Sequence, residues 1–110
     1  MTSDAASSTC MQNEQESTLI VQAVRRVQEG ERQAFRPLVE RFQRPLFAVL
    51  RRYVDNHDDA MDLVQKTLLK AYQRIESLEH PEAFRSWLFR IGVNLALNHL
   101  RAVGRRPTSS

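Results

Sequence analysis

The stretch FRPLVERFQRPLFAVLRRY at residues 35–53 decides the fold. Its apolar residues are Phe35, Leu38, Val39, Phe42, Leu46, Val49, Leu50 and Tyr53, separated by steps of three, one, three, four, three, one and three. Those steps trace one unbroken apolar stripe along a helix, with Arg36, Arg41, Arg44, Arg51 and Arg52 set around it. The spacing predicts a helix over residues 31–54. Pro37 falls in its first turn, where proline is tolerated. Pro45 lies mid-helix and removes one backbone hydrogen bond, so a kink is expected there. The stripe keeps its phase across Pro45, which favours one kinked helix over two separate ones.

On the N-terminal side, Leu19, Ile20, Val21, Val24 and Val27 predict a helix that opens at Ser17 or Thr18 and ends at Gly30. Residues 1–17 are rich in Ser, Thr, Gln and Glu and are expected to form a disordered leader. On the C-terminal side, Asp55-Asn56-His57-Asp58-Asp59 is a turn with several candidate N-caps. A third helix follows to about Ser77, with Ala60, Met61, Val64, Leu68, Ala71, Tyr72 and Ile75 on its buried face. Pro81 opens a fourth helix that Gly104 stops. With no strand pattern and no repeat, the expected fold is all-α: a compact bundle of about four helices over residues 18–104.

Composition narrows the function. A chain of 110 residues fits one domain, and 42% hydrophobic with 26% charged residues is ordinary for a soluble globular protein. No apolar run has the length of a membrane span, and the polar N-terminus does not resemble a signal peptide, so a cytoplasmic protein is expected. The single cysteine, Cys10, has no partner for an internal disulfide. His57, His80 and His99 sit on different elements without a carboxylate or cysteine cluster at ligand spacing. With three separate glycines, the chain has no phosphate-cradling loop. No metal, no cofactor and no catalytic activity are therefore expected. A net charge of +3 is concentrated in the arginines of residues 36–52 and in Arg101, Arg105 and Arg106. Such clusters draw polyanions, or simply keep a helix face solvated.

Two helices carry more specific signals. On a helical wheel, Leu63 and Leu69 fall outside the buried arc of the third helix, among Asp62, Gln65, Lys66 and Gln73. Apolar anchors set in polar groups suit a protein-docking face, although single exposed leucines are common. The fourth helix buries Phe84, Leu88, Ile91 and Leu95 on one side, and Phe89, Val93, Leu97 and Leu100 form a second apolar side. Between them Trp87, Arg90, Asn94, Asn98 and Arg101 line one edge at steps of three, four, four and three. Asparagine supplies the donor–acceptor pair that base edges require, and arginine pairs with phosphate. A local role, with the amides bonded to backbone, is the alternative. Trp87 is expected to belong to the core.

In their order, Asp62-Leu63-Val64-Gln65 with Leu69 and Ala71-Tyr72, then Phe84-Arg85-Ser86-Trp87-Leu88-Phe89-Arg90-Ile91-Gly92-Val93-Asn94 through Asn98 to Arg101, resemble region 2 of a bacterial sigma factor. The type is the extracytoplasmic-function (ECF) group of the sigma-70 family. The resemblance covers residues 19–106. It implies that the third helix docks on the clamp helices of the largest catalytic subunit of RNA polymerase through Asp62, Leu63, Gln65, Lys66, Leu69 and Gln73. Lys66 departs from the family, which commonly has glutamate there. The fourth helix resembles regions 2.3 and 2.4, which recognise the promoter −10 element as melted single strand. DNA contacts are thereby implied for Arg90, Asn94, Asn98, Arg101, Arg105 and Arg106, with His80 and Phe84 from the loop at residues 78–83 and the helix it enters. Residues 105–110 look like the start of an interdomain linker, and an anti-sigma factor is an implied partner. The competing readings are a duplex-reading helical DNA-binding regulator and a helical bundle that binds only protein.

Overall fold

The computed structural model describes residues 16–104. Helix α1 covers residues 16–28, α2 is Phe35–Leu50, α3 is His57–Arg74 and α4 is Phe84–Gly104. Short 3-10 turns at Arg32–Ala34, Ile75–Ser77 and Pro81–Ala83 lead into or out of them, and no strand occurs among the described residues. The all-α bundle is as expected, with its ends trimmed. Glu16 and Ser17 are already helical. Residues 31–34 form a tight turn before α2, and residues 51–53 form a turn after it. Cys10 and the rest of the expected leader, and Arg105 and Arg106, lie outside the described residues.

Local chemistry sets each boundary. After α1, the Gly30 N–H donates to Val27 O at 3.0 Å and the Glu31 N–H to Arg26 O at 2.9 Å. This paired closure requires a left-handed residue, which Gly30 supplies at φ 107°. At the start of α3, Asn56 Oδ1 accepts from Asp58 N at 2.8 Å and Asp59 N at 3.4 Å. Asp58 and Asp59 then place negative charge in the first turn, where the helix dipole favours it. Pro45 lies inside α2, which remains one helix across it.

The core is built where α2, α3 and α4 meet, with α1 packed alongside. Phe42, Leu46, Leu50, Val64, Phe84, Leu88 and Val24 are all fully buried, and Phe42 stacks tilted on Phe84 at 5.6 Å. Helices α3 and α4 run antiparallel. Thr67 lies against Gly92, and His99 Nε2 stands 3.6 Å from Asp59 Oδ2 eight residues earlier on α3. Thr67, the one buried polar residue among those described, donates its hydroxyl to Leu63 O at 2.6 Å, so its burial leaves nothing unsatisfied.

Two expectations about faces are corrected. Leu63 is core, 5% exposed, because α3 is covered by α2 on one flank and α4 on the other. Its buried arc is wider than an apolar wheel shows, since Thr67 belongs to it too. On α4 the second apolar side closes only partly. Phe89 packs edge-on to Phe42 at 6.4 Å, but Leu97 and Leu100 remain exposed. Small Gly92, against Leu46 of α2 and Thr67 of α3, and Ala96 are the residues buried instead.

Candidate nucleic-acid interface

Helix α4 is held through the row Phe84, Leu88, Gly92 and Ala96, at four-residue spacing, which faces inward along its length. The opposite side must therefore face solvent, and it carries Arg90, Asn94, Asn98 and Arg101, all exposed. None of the four makes a side-chain hydrogen bond or ion pair with another described residue. The local alternative for the asparagines is thus not realised: both amides present a donor and an acceptor outward. The edge holds two guanidinium groups and two amides over three turns of rigid helix. Trp87 is half-buried against Phe84, with ring centroids 5.9 Å apart, and serves as the wall where the edge begins.

The approach to α4 is tied down from a distance. Gln28 Nε2, on α1, donates to Ile75 O and to Leu78 O, each at 2.8 Å. These carbonyls sit where α3 ends, so one amide group fixes the loop between α3 and α4. Leu78 and Pro81 anchor that loop inward, while Glu79, His80 and Glu82 face solvent. His80 Nδ1 lies 3.4 Å from Glu82 Oε1. Phe84, counted among the DNA contacts at the sequence level, is fully buried between Phe42 and Trp87 and cannot touch a ligand. Arg85 beside it is exposed, its guanidinium 5.5 Å above the Phe89 ring.

The exposed side of α3 points away from its seam with α4. Asp62, Gln65, Lys66, Leu69 and Gln73 share it, and Leu69 is 57% exposed. Lys66 Nζ lies 2.9 Å from Asp62 Oδ2, so the lysine neutralises the acidic group one turn before it. Of the six residues implied for polymerase docking, five form one surface strip, and Leu63 is absent from it.

Sequence reading missed Gln28, Thr67 and Gly92. Gln28 stands four residues after Val24 on the apolar side of α1, a polar residue on a buried stripe, and that placement was the available signal. For Gly92 the signal was a glycine inside a strong helical pattern, which costs stability unless close packing needs it.

Comparison with known proteins adds an independent line. The Sigma-70 region 2 family matches residues 38–106. An ECF RNA polymerase sigma-E factor of Haemophilus influenzae is 49% identical over 84 residues, 76% of this chain and 44% of that protein. The one from Escherichia coli K12 is 46% identical over 87 residues, 79% of this chain and 45% of that protein. The chain thus spans a little under half the length of these curated relatives. Among solved structures, an NMR structure of an engineered region 2 of sigmaE in complex with GTAAAA superposes with a TM-score of 0.73 at 40% identity. The match covers 81% of this chain and 93% of that one.

Proposed function

Because the chain belongs to the Sigma-70 region 2 family, we propose that it docks on core RNA polymerase and recognises the promoter −10 element as melted non-template single strand, so directing transcription initiation. The observation that carries the reading is the α4 edge: Arg90, Asn94, Asn98 and Arg101 exposed and without partners among the described residues, on a fold that matches a GTAAAA-bound region 2. The relevant chemistry is binding. Extruding a base costs a few kcal/mol, and matched polar groups recover that cost only for the right base. Arginines along the edge add phosphate affinity that tolerates any sequence and weakens with salt.

The α3 strip, with Leu69 at its centre and Asp62, Gln65, Lys66 and Gln73 around it, is the proposed contact for the clamp helices of the largest polymerase subunit. Docking there would hold α4 beside the DNA at high effective concentration, so weak intrinsic strand affinity suffices. Both surfaces point away from the α3–α4 seam, which lets polymerase and DNA be engaged together. The site of action is then the cytoplasm, where polymerase works, and an anti-sigma factor is the expected inhibitor.

Titration of the domain with a −10-like single strand and with its duplex, at two salt concentrations, tests the reading. Single strand should bind more tightly than duplex, and Asn94→Ala with Asn98→Ala should abolish preference for a matched strand while thermal stability is kept. Arg101→Ala should reduce the salt slope by about one unit at every sequence. Equal binding of matched and mismatched strands by the folded wild-type domain would remove the proposal.

A further inference from the structure

Of the four large apolar side chains exposed among the described residues, Leu19 and Leu69 lie on α1 and α3, while Leu97 and Leu100 lie together on α4. Each of the α4 pair is 38% exposed. Leu97 is three residues after Asn94 and four before Arg101, so it stands one turn from each on the same exposed side. Half-buried Val93, four residues earlier, stands one turn from it on the same side. Val93, Leu97 and Leu100 make an apolar ledge beside the polar edge, and the described residues leave its two leucines exposed, since the seam through Gly92 faces another way.

What would occupy such a ledge is limited by its neighbours. A purely apolar partner would have to bury Arg90, Arg101 and two exposed amides without compensation, which is unfavourable. A nucleic-acid strand meets both needs, with phosphates for the guanidinium groups and base edges for the amides. Among the DNA bases, thymine alone also carries an apolar group on its edge, the C5-methyl. Building on the proposed −10 strand reading, we infer that Leu97, supported by Val93, is a specificity-determining residue that contacts the methyl group of a thymine in the bound strand. Leu100 extends the ledge toward the next nucleotide.

Replacing thymidine by deoxyuridine removes that methyl and nothing else. The probe is GTAAAA, which has one thymine, against the same strand with deoxyuridine in its place. Affinity is measured for the 110-residue chain and for Leu97→Ala and Leu97→Met. The wild type should bind the thymine strand about fourfold more tightly, the worth of one buried methyl. Leu97→Ala should bring the two strands within about twofold, and Leu97→Met, which restores an apolar tip, should recover the difference. Equal affinity of the wild type for both strands would overturn the inference and leave the strand reading standing. So would a thymine preference that survives Leu97→Ala, which would assign it to stacking, or an equal loss on both strands, which would make the ledge a general contact. Failure of the wild type to bind either strand would overturn both.

Discussion

Thr67 on α3 and Gly92 on α4 meet so closely that a Cβ on the glycine would stand 3.4 Å from both Thr67 Oγ1 and Thr67 Cγ2. The same Cβ would come within 3.0 Å of Leu46 Cδ1 from α2. Three helices therefore converge on one missing side chain. An alanine there adds helix propensity worth about 1 kcal/mol and spends it on moving Leu46, so Gly92→Ala should change stability by less than about 1 kcal/mol. Gly92→Val adds two more carbons to a filled space and should destabilise by about 1–3 kcal/mol. Chemical denaturation of the two variants decides. Equal stability of the valine variant and wild type would show the seam to be loose.

Phe84 illustrates a second use of burial. As a DNA contact, its loss would weaken strand binding and spare the fold. Fully buried between Phe42 and Trp87, it should do the reverse: Phe84→Ala should cost about 3–5 kcal/mol of stability, and Phe84→Leu much less. Leu63→Ala should likewise cost about 2–5 kcal/mol, since that side chain is 5% exposed. Thermal melts of the three variants read this directly, and an unchanged melting temperature for Phe84→Ala would return the residue to the surface.

The four helices were legible because their apolar stripes are regular. The stripe from Phe35 to Tyr53 needs only the 3.6-residue repeat to be seen. On α4 the repeat finds Phe84 and Leu88 but continues to half-buried Ile91 and Leu95, where small Gly92 and Ala96 complete the inward row. The polar edge was equally legible, since Arg90, Asn94, Asn98 and Arg101 fall between two apolar sides. Leu63 was placed wrongly for a physical reason. Helical wheels count apolar residues, whereas burial on α3 is set by two neighbouring helices, one of which packs on a threonine. Phe84 was misassigned because a loop-to-helix boundary holds both ligand-facing and anchoring residues, and only packing separates them. The two carbonyls that Gln28 holds are 47 and 50 residues away along the chain, a pairing that no local pattern encodes.

Gln28 makes its own prediction. Its amide satisfies two backbone carbonyls where α3 gives way to the loop before α4, and Gln28→Ala leaves both to water or to nothing. A loss of about 1–3 kcal/mol is expected. The sharper readout is local: amides of residues 76–80, 82 and 83 should exchange hydrogen faster in the variant, while those in the middle of α2 keep their relative protection. Uniform acceleration across the domain would mean that Gln28 supports the core and not the loop.

The exposed strip of α3 separates docking from stability. Leu69 is 57% exposed and Lys66 and Asp62 are 63% and 59% exposed at their side chains, so none of them holds the fold together. The Lys66–Asp62 pair, at 2.9 Å and one turn apart, is worth only about 0.2–0.5 kcal/mol on a solvated helix. Leu69→Ala should therefore leave the melting temperature almost unchanged and still weaken binding to the isolated clamp-helix segment of polymerase by about tenfold or more, as loss of a central apolar anchor does. Lys66→Ala separates two roles for Asp62. Where the lysine competes with a polymerase cation for that carboxylate, its removal strengthens docking at low salt. Where Lys66 itself meets a polymerase carboxylate, its removal weakens docking. The pairing seen in the free domain favours the first outcome, because Asp62 must surrender its lysine before it can serve a new cation. Loss of binding in Lys66→Ala with Asp62→Ala unaffected would instead give the lysine the direct contact.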